Sequence, residues 1–158
     1  EQGVIICSGQ PKGYMHTHQT FGNFTWRGEF LFVPRPGAAP DDMAKANTGF
    51  MIHIQQPHKV WPRSLEVQGR MDEIASIKSN GGVPALVIHD DPDARVAARK
   101  PVGEWNTIEI VSREGALTAT LNGLKICDSE PGELRSGLIG LQSELFEVHF
   151  RNLRISAN

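Results

Sequence analysis

The chain has 158 residues, and its 16 Lys and Arg stand against 18 Asp and Glu, which gives a formal net charge of -2. This balance excludes strong binding to nucleic acid or to an anionic membrane as the main function, because both require an excess of basic side chains. No apolar run approaches the ~18 residues of a membrane-spanning helix. The length suits one domain over residues 1–158. Because the sequence begins with Glu1, we interpret it as a processed product.

Along the chain the dominant pattern has a period of two residues, which is typical of half-buried β-strands. The clearest case is residues 24–32 (FTWRGEFLF), in which every even position except Gly28 is aromatic, while Arg27 and Glu29 fall on the opposite face. The other strands are predicted at 4–8, 14–18, 48–55, 64–70, 73–78, 84–89, 107–111, 117–121, 124–127, 137–143 and 146–155.

Helical signals are weak and amount to one turn at 41–46. The longest irregular stretches, predicted as loops, are 34–46, 57–63 and 90–104. About a dozen short strands separated by turn residues favour an all-β fold in which two antiparallel sheets pack as a sandwich or jelly roll. The predicted core consists of Phe24, Trp26, Phe30, Phe50, Ile52, Leu65, Val67, Ile139 and Leu141.

Two short sequences predict tight turns. Asn122 and Gly123 lie between two apolar runs, and an Asn-Gly pair favours a two-residue hairpin because a type I′ turn needs positive φ at both central positions. Glu114 and Gly115 predict a second tight turn.

Cysteines and histidines are few and scattered. Cys7 and Cys127 are too few for a disulfide framework or a metal cluster, and their apolar neighbours favour two reduced, largely buried thiols. A zinc ion needs three or four convergent ligands, which His16, His18 and His53 would supply only if they met in space. Isolated surface histidines are commoner, so we expect no metal and no cofactor.

Three strand segments combine an apolar face with a polar one. The polar positions are Gly49 and His53 in 47–54, Glu66 and Gln68 in 62–68, and Gln142 and Glu144 in 137–144. On one sheet face they would form a shallow groove. Its carboxylates, amides and imidazole, flanked by Trp61, suit a saccharide, because sugar hydroxyls need hydrogen-bond partners and a ring face needs an aromatic plane. Solvent-facing positions with nothing bound would give the same pattern.

An ordered set of short motifs covers almost the whole chain. These are GVIICSG at 3–9, GYM at 13–15, NTGF at 47–50, PRSLEVQ at 62–68, GEWNT at 103–107, LNG at 121–123, GLIGLQ at 137–142 and FRNL at 150–153. Together they resemble the 3-keto-disaccharide hydrolase family. The sequence departs from the family pattern at His53, where Arg is frequent, and at Glu144 and Leu145, where His-Gly is frequent.

The resemblance implies a concanavalin A-like lectin and glucanase fold: two antiparallel sheets in a jelly roll, with the ligand on the concave sheet. It also implies a bacterial, exported protein that is periplasmic or secreted, and cleavage of glycosides oxidised at C3 of a sugar ring. Relative to the family, the N-terminal strand pair is expected to be trimmed. The expected partner is a saccharide, and the sequence does not indicate an oligomeric state.

The expected roles follow from this chemistry. A C3 ketone acidifies the hydrogen at C2, so a general base can start elimination of the C1 substituent, and addition of water completes a net hydrolysis. We expect Glu66 to be the base, His53 or Glu144 the acid, Gln68 and Gln142 the groups that position hydroxyls, and Arg63 and Trp61 binding residues on an adjoining loop.

Two alternatives remain open. Glu66 and Glu144 could instead act as the carboxylate pair of an ordinary glycosidase. The same groove could also belong to a carbohydrate-binding module without catalytic activity, in which case the site is expected to be an open, flat aromatic platform rather than a pocket lined by carboxylates.

Overall fold

The structure, a computed structural model, describes residues 3–157 except for the side chain of Pro40. In this part of the chain there are twelve strands and two short helices. The elements are β1 (Val4–Cys7), β2 (Gly13–His16), β3 (Phe24–Phe32), α1 (Pro40–Ala44), β4 (Gly49–Ile54), β5 (Ser64–Gln68), β6 (Ile77–Asn80), β7 (Ile88–Asp90), α2 (Pro92–Ala98), β8 (Asn106–Arg113), β9 (Ala116–Leu121), β10 (Leu124–Ser129), β11 (Leu138–Ser143) and β12 (Val148–Ala157).

The strands form two sheets, and every pair within them is antiparallel. The larger sheet has the order β1-β12-β3-β8-β9-β10-β7, and the smaller has the order β2-β11-β4-β5-β6. This confirms the predicted all-β class. Neither helix among the described residues is long and apolar enough to cross a bilayer.

The core lies between the two sheets and is rich in aromatic rings. Phe50 of the smaller sheet meets Trp26, Phe30 and Phe150 of the larger sheet edge to face, with ring centroids 5.5, 5.2 and 6.1 Å apart. Such edge-to-face pairs add stability beyond the area that they bury. All nine residues predicted to form the core are buried, so the period-two pattern identified the inner faces correctly.

The segment between residues 73 and 104 differs from its prediction. The strand predicted at 73–78 begins only at Ile77, and the one predicted at 84–89 is reduced to Ile88–Asp90. The loop predicted at 90–104 contains helix α2. Asp91 caps this helix by accepting a hydrogen bond from the Ala94 backbone N–H (2.9 Å), and a proline at the first helical position favours a helix start.

Asn122 and Gly123 form the tip of the β9–β10 hairpin, as predicted, with φ of 49° and 87°. The Asn122 side chain fixes the turn: its Oδ1 accepts a hydrogen bond from the Thr107 N–H (2.8 Å) and its Nδ2 donates to the Ala98 carbonyl (2.8 Å). A Cβ atom on Gly123 would meet nothing within 4 Å. Backbone conformation, not space, therefore requires glycine at this position.

We expect Gly123→Val to lower the free energy of unfolding by more than about 1 kcal/mol, because a β-branched residue resists positive φ. Gly123→Asn is the matched control, since asparagine adopts this conformation at less cost, and it should destabilise less. Urea unfolding of the three proteins gives the comparison. Equal stability of the Val and Asn variants would show that φ does not limit this position.

Both cysteines are free thiols, as predicted, although only Cys127 is fully buried while Cys7 is partly exposed. Four strands separate β1 from β10 in the larger sheet. At about 4.8 Å per strand spacing, this places the two residues far beyond the roughly 7 Å Cα separation that a disulfide tolerates. Burial raises the pKa of the Cys127 thiol to about 11.

Thiol labelling of the native protein at neutral pH should therefore modify Cys7 alone, because the reactive species is the thiolate. Both cysteines should react in denaturant. Peptide mass mapping distinguishes the sites, and rapid native labelling of Cys127 would contradict its burial.

Candidate functional site

The candidate site lies on the outer face of the smaller sheet, where three neighbouring strands present polar side chains. Gly49 of β4 pairs with Gln68 of β5, and Met51 pairs with Glu66. On the other side of β4, Gly140 of β11 pairs with Met51. Alternation along each strand then places Glu66, Gln68 and Gln142 on one face, opposite the core, as the sequence predicts.

These strands and the adjoining segments line a cavity of about 190 Å³. Its lining residues are Asn47, Trp61, Glu66, Gln68, Asn80, Gln142 and Glu144. Five of the seven predicted site residues are among them. The volume is smaller than the roughly 300–1,000 Å³ of pockets that bury a drug-sized ligand, so it suits a single small ring.

The absence of a side chain at Gly49 shapes this cavity. A Cβ atom at this position would lie 2.5 Å from Gln142 Oε1 and still closer to Glu66 Oε1. Such distances are shorter than atoms allow, so the two side chains can meet over β4 only because residue 49 is glycine.

Glu66 is 5% exposed, and the pKa of its carboxyl group is raised. Its Oε2 accepts a hydrogen bond from Asn80 Nδ2 (2.6 Å), and the Gln142 amide also donates to it. Burial raises its pKa, because the ionised form loses hydration, and nearby Glu144 raises it further. The two amide donors and Lys78 oppose the rise by favouring the carboxylate.

The remaining polar groups are held by local hydrogen bonds. Glu144 Oε2 accepts from Asn47 Nδ2 (2.8 Å), and Gln68 Oε1 accepts from the Arg70 backbone N–H (2.9 Å). Two buried oxygens of the cavity, Asn47 Oδ1 and Gln142 Oε1, have no hydrogen-bond partner among residues 3–157. Unpaired buried acceptors are typical of functional sites, where a ligand or water supplies the donor.

The prediction that His53 faces this groove is wrong. The β4–β11 register shifts between Leu138 and Gly140, so β4 carries an extra residue there, and His53 has a positive φ of 53°. This bulge breaks the period of two and turns the ring inward. The imidazole is fully buried and contacts the carbonyls of Leu134 (3.0 Å) and Gly22 (3.3 Å).

His53 contributes to the packing of the two sheets and not to the cavity. Ser112 of the larger sheet lies 3.3 Å from its Nε2, so the ring links the two sheets. Burial lowers its pKa, because the charged form is poorly solvated there. Since His53 points into the interior, it cannot converge with His16 and His18, and no group of three His, Cys, Asp or Glu side chains within 3–157 is arranged to hold a metal.

Arg63 also lies outside the cavity. It immediately precedes β5, and its guanidinium forms an ion pair with Glu133. Trp61, two residues earlier, does line the cavity, as predicted. The adjoining loop therefore contributes an aromatic ring to the site, while its arginine pairs with a neighbouring surface loop.

Sequence reasoning missed Asn47 and Asn80. Asn80 is the last residue of β6 and pairs with Ser64, so its side chain shares the face of Glu66. The predicted strand at 73–78 ended too early to include it. Asn47 is the first residue of the NTGF motif and forms a bridge with Glu144, but a single sequence does not show which residue of a motif reaches the site.

Comparison with solved structures shows where this fold occurs. Two proteins from Parabacteroides distasonis described as candidate glycosyl hydrolases match 100% of this chain. The first is 18% identical, with 88% of its own chain covered and a TM-score of 0.71; the second is 22% identical, with 82% covered and a TM-score of 0.68. The carbohydrate-binding module CBM66 from Bacillus subtilis is 10% identical, with 98% of this chain and 96% of its own covered and a TM-score of 0.59.

At these identities the likeness shows the fold alone, and it confirms the predicted jelly-roll sandwich of the concanavalin A-like type. No curated protein matches the sequence significantly. A family model described as the 3-keto-alpha-glucoside-1,2-lyase-like domain matches residues 1–156, in agreement with the resemblance carried by the sequence motifs. The chain therefore belongs to the 3-keto-alpha-glucoside-1,2-lyase-like family.

Proposed function

We propose that the protein cleaves the glycosidic bond of a saccharide that carries a ketone at C3, and that the cleaved ring binds in the cavity over Gly49. The observation that carries this proposal is Glu66: a buried carboxyl group with a raised pKa, surrounded by amides, in a cavity the size of one ring. The family assignment supports the same substrate class.

The chemistry requires a base, and Glu66 fits that role. A ketone at C3 stabilises negative charge at C2, so a carboxylate close to C2 can remove the proton there. The C2–H electron pair then forms a C1=C2 double bond, and the C1–O bond breaks with its electrons leaving on the departing oxygen. The proton taken by Glu66 exchanges with solvent, and addition of water at C1 with protonation of C2 completes a net hydrolysis.

The other lining residues fit supporting roles. Glu144, the second carboxyl group of the cavity, is the candidate that protonates the departing oxygen. The Arg70 backbone N–H donates to Gln68 Oε1 and so occupies this oxygen. The amide nitrogen of Gln68 can then donate to a sugar oxygen. Asn47 Oδ1 and Gln142 Oε1 offer acceptors for sugar hydroxyls, and Trp61 offers a ring face.

Incubation with matched pairs of ordinary and 3-keto glucosides, followed by product analysis, tests the proposal. We expect cleavage of the 3-keto member only. Cleavage of the ordinary glucoside would favour the carboxylate-pair mechanism instead. Binding of either sugar with no product would assign the protein as a carbohydrate-binding module.

Glu66→Gln should lower kcat by at least about 100-fold while the Kd for the substrate changes little, because the amide keeps the shape and its oxygen can still accept from Asn80, but it cannot take the proton. Glu109→Gln is the matched control, since Glu109 lies on the larger sheet and pairs with Arg27. Single-turnover kinetics and calorimetry measure the two quantities. Full activity of Glu66→Gln would remove Glu66 as the base.

The dependence of activity on pH should reflect the raised pKa of Glu66. Because the base acts only when ionised, kcat/KM falls as the pH drops through this pKa, and the acid limb should lie above the ordinary glutamate value of 4.5. Asn80→Ala removes a donor that favours the carboxylate, so the limb should move to higher pH. A limb that stays in place or moves to lower pH in this variant would contradict the assignment.

A further inference from the structure

A cluster of two exposed histidine rings and one half-buried tyrosine ring lies beside the cavity. Tyr14 and His16 belong to β2, the edge strand of the smaller sheet, and His58 belongs to the loop at 55–63 between β4 and β5. The rings of His16 and His58 are stacked, with centroids 4.5 Å apart and planes inclined by 13°. Tyr14 Oη lies 2.8 Å from His58 Nδ1. We call these three residues the ring platform.

Two connections join the ring platform to the cavity. Tyr14 is the cross-strand partner of Gln142, and directly opposed side chains of an antiparallel pair have Cβ atoms about 5 Å apart. The loop that supplies His58 also supplies Trp61, which lines the cavity. A ligand longer than one ring would therefore extend from the cavity onto the ring platform.

The hydrogen bonds of His58 determine what the platform offers. Gln56 Oε1 accepts a hydrogen bond from the His58 backbone N–H (3.2 Å), which fixes the orientation of the Gln56 amide. The atom that lies 2.6 Å from His58 Nε2 is therefore the amide nitrogen, Gln56 Nε2. An amide nitrogen only donates, so Nε2 of the neutral imidazole accepts and Nδ1 carries the hydrogen. Nδ1 then donates to Tyr14 Oη, and the Tyr14 hydroxyl hydrogen remains available to a ligand.

His16 offers the complementary group. Its Nδ1 lies 2.8 Å from the Thr17 carbonyl oxygen, which can only accept, so Nδ1 carries the hydrogen and Nε2 of the neutral ring is an acceptor. The platform thus presents a donor, an acceptor and aromatic surface close together. Sugar hydroxyls both donate and accept, and the C–H face of a sugar ring packs on aromatic planes, so this combination suits a second sugar.

We propose that the ring platform is the subsite for the leaving-group sugar of a disaccharide, whose other ring occupies the cavity. This inference rests on the proposed function. The cavity of about 190 Å³ takes one ring, so the second must lie outside it, and the side bearing Tyr14 is bordered by exposed groups that can hold it. Tyr14, His16 and His58 are specificity residues in this account and take no part in proton transfer.

The test compares a 3-keto disaccharide with the corresponding methyl 3-keto-glucoside, which lacks the second ring. For His58→Ala, kcat/KM should fall roughly tenfold for the disaccharide and stay within about twofold for the methyl glycoside. Tyr14→Phe keeps the ring and removes the hydroxyl. It should lower kcat/KM for the disaccharide roughly three- to tenfold, which is the effect of one hydrogen bond. His89→Ala, at an exposed histidine of the larger sheet, is the matched control.

The outcomes separate the two proposals. If His58→Ala loses kcat/KM equally for both substrates, or loses none for the disaccharide, the ring platform is not a subsite, while the proposed function remains intact. If wild-type protein cleaves neither substrate, the proposed function fails. The leaving-group role then fails with it, and calorimetric Kd values for the same two ligands show whether the ring platform still binds a second sugar: it does if His58→Ala weakens only disaccharide binding, and it does not if both ligands respond alike.

Discussion

Glu66 and Gln142 can meet over the middle of the smaller sheet only because Gly49, on the strand between theirs, has no Cβ atom. Burial in the cavity removes the Glu66 carboxyl group from water and raises its pKa. Asn80 and Gln142 donate hydrogen bonds that keep the ionised form accessible. This contact across β4 therefore depends on one glycine, since a side chain at position 49 would occupy the space in which Glu66 and Gln142 meet.

Burial of Glu66 has a cost in stability. The folded state keeps the proton of the Glu66 carboxyl group to a higher pH than the unfolded chain does. The free energy of unfolding therefore falls as the pH rises from the ordinary glutamate pKa towards the raised pKa of Glu66. Two further acceptors in the cavity, Asn47 Oδ1 and Gln142 Oε1, are unpaired within 3–157, and each such group costs about 1–3 kcal/mol when buried. A sheet selected for stability alone would not contain a buried carboxyl group beside two unpaired acceptors, whereas a binding site accounts for both.

Alternation along strands predicted most of the fold and most of the site, because side chains of a regular strand must point to opposite faces. It failed for His53, where an extra residue in β4 and a positive φ reverse the ring. A bulge depends on the partner strand, so the sequence of β4 alone does not reveal it. Arg63 and Asn80 illustrate a second limit: an ion pair with Glu133 and the true end of β6 arise from tertiary packing.

The most direct test of elimination at a 3-keto sugar is the position of deuterium in the product formed in D₂O. Removal of the C2 proton by Glu66 and reprotonation from solvent predict deuterium at C2 of the released 3-keto sugar, seen by NMR and mass spectrometry. The 3-keto sugar incubated with Glu66→Gln protein serves as the control for spontaneous exchange next to the ketone. Cleavage that leaves C2 no more labelled than in this control would contradict the account, because the bond would then break without proton transfer at C2.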